Sequence, residues 1–437
     1  MFLTLIVLVG ILLISSAITR SPRLALPLLL LVELGNAANY SGVILIGRFH
    51  IYPGDLLTVS LFIAAIVRWG QQSEKHRPTK ILMVFTGLVL IGFLLGAKKF
   101  GVQTSVVADR QILAMCATAI FFSTVSVTSA FVKTIRNWFL IASAVVAAVA
   151  LRFWVVHGLG TYATTGTRAI DALAALVVLE SIILVIAMPP IRHSSLQFII
   201  PLLGFITVLF SVQRTVWAAG VVGVAVFVLI GKKKQGALST VARRGLAVVG
   251  LLSIILLVAA GPSSVSTSLS AGIQKTSATQ SSTFSWRLQG WSQLISRQVH
   301  GSPIYLLIGS PSGTGSDRSI NGEIVTVSPH SEYVLALEST GIIGTFSLLA
   351  ICAGLLKKLK RRLRSQSLDD SQLATLCMVL LATQLTFFIA YSAGLIAGLT
   401  LGLSLGFVKR RDAMRELLIE NHEGDSQLGT GLDHLRF

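Results

Sequence analysis

Charge is scarce in this sequence. Asp, Glu, Lys and Arg make up 12% of its 437 residues, about half the ~25% usual in a soluble chain. That excludes an ordinary cytosolic enzyme and a disordered protein alike. Acid is the scarcer sign, with 18 acidic residues against 36 basic ones and a net charge of +18. Cysteine is rarer still. Cys116, Cys352 and Cys377 each fall within an apolar run and form no CxxC pair, which excludes a disulfide framework or a cysteine metal site. There is no internal repeat, no nucleotide-binding glycine loop and no GxSxG elbow. The first apolar run does not read as a signal peptide, having no basic residue before it and no clear cleavage site before Arg20.

What the chain has instead is apolar length. Hydrophobic residues reach 53% and the mean hydropathy is +0.78. Runs near ~20 residues can cross a bilayer as helices. Thirteen candidates are legible: 2–19, 23–42, 54–69, 80–97, 111–132, 137–156, 168–188, 196–211, 213–231, 246–261, 332–356, 371–391 and 393–408. The weakest is 23–42, interrupted by Gly35, Asn36, Asn39 and Tyr40. The expected fold class is an all-α polytopic membrane protein of about 12–13 transmembrane helices.

The basic residues split into two populations. Arg20, Arg23, Arg68–Lys80, Lys133–Arg136, Arg192, Lys232–Arg244, Lys357–Arg364 and the tail from Lys409 hold 25 of the 36, and the remaining connections and spans hold 11. The richer set is expected on the cytoplasmic side. Lys232, Lys233, Lys234, Arg243 and Arg244, with the run Lys357–Arg364, make 262–331 an external loop and 409–437 an internal tail. A +18 balance laid out this way sets orientation and implies no nucleic-acid partner. The expected organisation is an N-terminal helical region, 1–261, the external loop 262–331, C-terminal helices 332–408 and the tail. The orientation of the N-terminus depends on how the runs before residue 70 are counted. The pair Asp369-Asp370 reads as a solvated turn, and the tail carries no readable motif.

The loop is the one long hydrophilic segment. Its first part, 262–285, has 13 Ser or Thr among 24 residues and reads as flexible. Residues 286–300 read as an amphipathic helix with Leu288, Trp291, Leu294, Ile295 and Val299 on one face, lying at the membrane surface or over the bundle. Ser285 or Thr283 is its expected cap. A turn-rich stretch, Ile308-Gly309-Ser310-Pro311-Ser312-Gly313-Thr314-Gly315, follows, where backbone can approach a ligand closely. The loop ends at Pro329-His330-Ser331-Glu332-Tyr333, which runs directly into a span.

Arg214, Arg287 and His330 stand out because each lies at or beside an expected helix N-terminus on the same face. The helix dipole disfavours a cation there, yet free N–H groups and positive charge together make an anion site. A diphosphate suits the planar, bidentate guanidinium. Each residue alone also fits a plainer role, the arginines as headgroup anchors and the histidine as a solvated side chain.

At these residues the chain resembles the O-antigen ligase and O-antigen (exopolysaccharide) polymerase family of polytopic envelope glycosyltransferases. The family pattern has an Arg at the start of a mid-chain span and a long external loop. That loop carries Arg followed by Trp, a glycine-rich turn, and a His before a span containing Glu-x-Gly-x-x-Gly. Here these are Arg214, then Arg287 with Trp291, then Gly309 to Gly315, then His330. The last element departs in spacing: Glu338-Ser339-Thr340-Gly341-Ile342-Ile343-Gly344 puts two residues between Glu338 and Gly341. The family often has His-Asn where this chain has His330-Ser331. The likeness is specific over 205–350 and architectural elsewhere.

The resemblance implies a GT-C-like helical bundle and metal-independent, inverting glycosyl transfer at the outer face of the cytoplasmic membrane, with no cofactor. The donor would be a glycan on polyprenyl (undecaprenyl) diphosphate, and the acceptor a glycan, lipid or protein. Ligase and polymerase stay equally open. Arg214 and Arg287 would stabilise the diphosphate leaving group, and His330 would take the acceptor's proton as general base. Glu332 or Glu338 would support His330, while Trp286, Trp291 and Gly313 are possible sugar contacts. Gly341 and Gly344 read more simply as places of close helix packing. The main rival is a transporter or flippase of a lipid-linked glycan, for which Glu33, Asp171 and Glu180 are available intramembrane charges. A metal- or acid-dependent polyprenyl-phosphate-sugar transferase is a second. It fits less well, because residues 43–54 contain no Asp or Glu and Asp55 comes only at the next span's edge. A structural scaffold is the third.

Overall fold

The computed structural model describes residues 2–37, 42–46, 49–71, 77–158, 168–188, 195–231, 283–320, 322–325, 328–364, 367–392 and 394–409. The expected span 246–261 and the tail beyond 409 lie outside them. The described chain is almost entirely helical. Helices α1 (Phe2–Arg20) and α2 (Ala25–Ala37) are joined by a 3-10 turn, and a small hairpin follows, β1 (Ile44–Ile46) antiparallel to β2 (Phe49–Ile51). Next come α3 (Pro53–Gly70), α4 (Arg77–Phe100), α5 (Val102–Ser123), α6 (Ser129–His157), α7 (Ala172–Ala187), α8 (Ser195–Phe210) and α9 (Arg214–Gly231). The loop contributes α10 (Thr283–His300), α11 (Pro303–Ile308) and a second hairpin, β3 (Arg318–Ile320) with β4 (Glu323–Val325). Helices α12 (Glu332–Arg362), α13 (Leu368–Phe387) and α14 (Gly394–Lys409) complete the bundle.

Among the described residues five helices, within α3, α4, α5, α6 and α12, are long and apolar enough to cross a membrane. α1, α7, α8, α9 and α14 hold shorter apolar stretches. The outer surface is as apolar as a lipid-facing one: Leu13 is 66% exposed, Leu94 65%, Val155 77%, Val221 69% and Phe346 66%. Large apolar side chains exposed on several such helices make the molecule compatible with a membrane protein.

Several expected boundaries are corrected. The run 23–42 is helical only over 25–37 within the described residues. The break expected at Lys133–Arg136 falls instead at 124–128. Thr128 caps α6 by accepting from the Phe131 N–H at 3.1 Å, and Thr124 turns its hydroxyl back to the Phe121 carbonyl. Arg136 is therefore inside α6, buried, and donates to the Met188 carbonyl at 2.7 Å. Asp369 and Asp370 do not form a turn. They open α13, where acidic groups offset the exposed N–H ends of the helix. Ser285 and Thr283 both lie within α10 rather than capping it.

Close approach in the bundle is set by glycine. Along α14, a Cβ on Gly398 would sit 2.5 Å from the Met115 carbonyl oxygen, on Gly402 2.6 Å from Phe122 Cβ, and on Gly406 2.6 Å from the Val125 carbonyl oxygen. This small-residue stripe lets α14 lie directly on α5. Gly341 breaks α12, with φ 62° and ψ −164°.

That break receives the glycine-rich turn. The Ser310 N–H donates to the Glu338 carbonyl at 2.7 Å, and the Ser312 N–H donates to the Gly92 carbonyl of α4 at 3.0 Å. A Cβ on Gly341 would lie 2.5 Å from the Leu307 carbonyl. Residues 309–313 are thus wedged between α4 and α12. Gly92 is about 12 Å down α4 from its end at Phe100, at ~1.5 Å per residue. Irregular backbone at that depth is tolerable because protein surrounds it on both sides.

Candidate functional site

Tyr391, just past α13, is the hub where two of the three singled-out residues meet. The Arg287 guanidinium lies over its ring at 4.8 Å, and the His330 ring meets it edge-on at 6.4 Å between centroids. Arg287 also donates from Nη1 to the Ala390 carbonyl at 3.2 Å. Its Nε is buried. Among the described residues nothing accepts from it, and a buried donor left unpaired costs free energy.

His330 is held in a rare backbone state. Its φ is 52°, the left-handed region that non-glycine residues seldom occupy, and such strain persists only where surrounding structure enforces it. The enforcement is visible on both sides. Trp291 Nε1 donates to the Pro329 carbonyl at 2.6 Å. The Ser331 hydroxyl donates to the Phe388 carbonyl at 3.3 Å, and the Glu332 N–H donates to the same oxygen at 3.0 Å. Tyr333 adds a bond from its hydroxyl to the Leu385 carbonyl at 2.9 Å. Ser331, where the resembled family often has Asn, thus serves to dock α12 on the end of α13. Burial, then the positive charges of Arg287 and Arg318, push the His330 imidazole below its ordinary pKa, which favours the neutral, proton-accepting form near pH 7.

Arg318 was not singled out from the sequence. It is buried, donates to the Ser316 carbonyl at 2.8 Å, and places its guanidinium 5.4 Å from the Trp286 ring centroid. Burial lowers its pKa first, with Glu338 opposing. The sequence signal for it was Gly290: a Cβ there would lie 2.6 Å from Arg318 Nε. A glycine inside an amphipathic helix marks something passing close by.

Arg214 opens α9, and its Nε and Nη2 are buried with no hydrogen-bond partner among the described residues. No contact among the described residues joins it to Arg287 or His330. It is at the same end of the bundle, however. A Cβ on Gly223 would lie 2.6 Å from Thr383 Oγ1 of α13, and nine residues, about 13 Å at helical rise, carry α9 up to the level of Tyr391.

Neither expected supporting carboxylate hydrogen-bonds His330. Glu332 is fully buried at the start of α12, with the Ser392 hydroxyl beside it but outside bonding geometry. Glu338 pairs instead with Arg297 at 2.9 Å and accepts from the Ser316 hydroxyl at 3.3 Å. Trp286 and Trp291 are both committed to protein contacts, with Arg318 and Pro329 respectively. Gly313, with φ 89°, lines a separate cavity below the turn. Of the intramembrane acids, Asp171 caps α7 by accepting from the Ala174 N–H at 2.7 Å, while Glu33 and Glu180 are buried in the bundle. Among the described residues no three His, Cys, Asp or Glu side chains converge as a metal-binding group.

No protein-family model matches this sequence, and no curated protein matches it.

Proposed function

We propose that the protein is a glycosyltransferase of the O-antigen ligase or polymerase type. It spans the cytoplasmic membrane with about 12–13 helices in a GT-C-like bundle. It moves a glycan from polyprenyl diphosphate to an acceptor hydroxyl at the outer face. The observation that carries this reading is the meeting of Arg287 and His330 on Tyr391, with Arg318 close enough to bias His330 electrostatically. Cations around a neutral base suit a reaction whose leaving group is an anion and whose nucleophile must lose a proton.

In this reading His330 takes the proton from the acceptor hydroxyl as its oxygen bonds to the anomeric carbon. The bond from that carbon to the diphosphate oxygen breaks, and its electron pair leaves with the diphosphate. Direct displacement inverts the anomeric centre. Arg287 holds the developing charge through the N–H left unpaired, and Arg214 does the same from the start of α9.

Reconstitution with an undecaprenyl-diphosphate oligosaccharide tests this. Transfer should persist in chelator and disappear in His330→Ala. A size ladder identifies a polymerase, and single transfer to a second acceptor a ligase. Movement of the lipid across the bilayer without transfer would replace this reading with the flippase.

A further inference from the structure

Below the glycine-rich turn lies a cavity of about 270 Å³ that the reaction above does not use. Ala108 and Asp109 of α5, Ser312 and Gly313 of the turn, and Glu338 and Ser339 of α12 help to line it. Asp109 is 2% exposed. Its carboxylate is fixed by the Ser312 hydroxyl and by the Ser339 hydroxyl at 3.4 Å. Glu338 is fixed by Arg297 and Ser316. An ionised carboxylate offers about four lone-pair sites, so both acids keep acceptor capacity while being held rigidly.

Rigid acceptors and hydroxyls around a small space recognise a compact molecule rich in O–H donors. Arg297 also lines the space and pairs with Glu338, so two carboxylates against one cation leave the wall net negative and disfavour an anion. The volume is just below the ~300–1,000 Å³ typical of ligand pockets, which suits one sugar ring rather than an extended chain. Ser328 belongs to the cavity wall. It is two residues from His330, at most about 7 Å along extended chain, so a ring seated here can present a hydroxyl towards the base.

We propose that this cavity is the acceptor subsite and takes one uncharged sugar residue, held through O–H bonds to Asp109 and Glu338. The assignment to the acceptor rests on the glycosyl-transfer reading. The donor's reacting sugar carries a diphosphate, which the net negative wall would disfavour, whereas the Arg287 guanidinium lies on Tyr391 beside His330.

The test is ligand-observed NMR on the full chain in neutral-lipid nanodiscs. Galactose, glucose, N-acetylglucosamine and galacturonate serve as probes, and undecaprenyl diphosphate as an independent one. At least one neutral sugar should bind, and galacturonate at least tenfold more weakly. Ala108→Trp, on the exposed side of the cavity mouth, should abolish sugar binding and leave diphosphate binding unchanged. Glu338→Gln, which keeps the side-chain shape, should weaken sugar binding about tenfold. No neutral sugar bound, or equal binding by Ala108→Trp, overturns the proposal. So does calcium binding lost in Asp109→Asn without any sugar binding, which would make this a cation site. Sugar binding in a protein that ignores undecaprenyl diphosphate supports the sugar site and removes the donor reading.

Discussion

The Arg287 guanidinium lies over the Tyr391 ring at 4.8 Å from its centroid, and the His330 ring meets the same ring in a T-shaped arrangement. The stack fixes the cation without consuming all of its N–H donors. A cation over an aromatic face is worth ~0.5–2 kcal/mol depending on burial. Tyr391→Ala is therefore expected to lower glycan transfer about tenfold, and Tyr391→Phe to stay within about twofold because the ring is kept. Equal loss in both variants would show that the phenol hydroxyl, not the stack, matters. Arg287→Lys should be nearly as damaging as Arg287→Ala, since an ammonium lacks the planar fork.

A pH profile follows from the environment of His330. Burial first, then Arg287 and Arg318, place its folded pKa below the ordinary value. The base works when neutral, so kcat/KM should fall on the acid side with a midpoint below the ordinary imidazole value. Arg318→Gln removes a like charge and should move this acid limb to higher pH. A wild-type limb above the ordinary imidazole range would sink the assignment of His330 as base.

Helix existence was legible in the sequence because apolar runs dominate it, and most boundaries fell close to where hydropathy put them. The misplaced break near residue 130 shows the limit. Lys133 and Arg136 look like loop residues by charge, but the cap is Thr128, and Arg136 finds the Met188 carbonyl in three dimensions. Arg287 and His330 were legible through their motif context. Arg318 was not: Gly290 signals a close approach to α10, but nothing in a linear reading says which side chain makes it. The cavity was half legible: the glycine-rich turn announced close backbone approach, but its other wall, Asp109, comes from α5, 203 residues before Ser312.

Two glycines in the same helix should behave oppositely. A Cβ on Gly341 would lie 2.5 Å from the Leu307 carbonyl in a left-handed backbone, whereas Gly354 has nothing within 4 Å. Gly341→Ala is expected to cost more than ~2 kcal/mol through strain and backbone clash and to displace the turn 309–313. Gly354→Ala should be neutral or stabilising by up to ~1 kcal/mol, from helix propensity. Thermal unfolding of both variants in detergent separates them. Equal melting temperatures would mean that the break at Gly341 is not required by the docked turn.

Arg297 ties the turn to α10 and α12 at once. Its Nη2 donates to the Gly315 carbonyl at 2.8 Å and to Glu338 at 2.9 Å, and its Nη1 donates to the Asp317 carbonyl at 3.2 Å. The side chain is 44% exposed, so solvent screening limits the ion pair to below ~1 kcal/mol. Global stability should hardly change in Arg297→Ala. The local effect should be larger, because two bonds to one segment and the tie from it to Glu338 are lost together. Hydrogen exchange over 313–318 is expected to speed up several-fold, with exchange over α12 unchanged. If the cavity seats the acceptor, the same variant should raise the acceptor KM several-fold and leave kcat within about twofold, because the charge around His330 is untouched. A fall in kcat at constant KM would instead place Arg297 with the reacting groups and move the acceptor elsewhere.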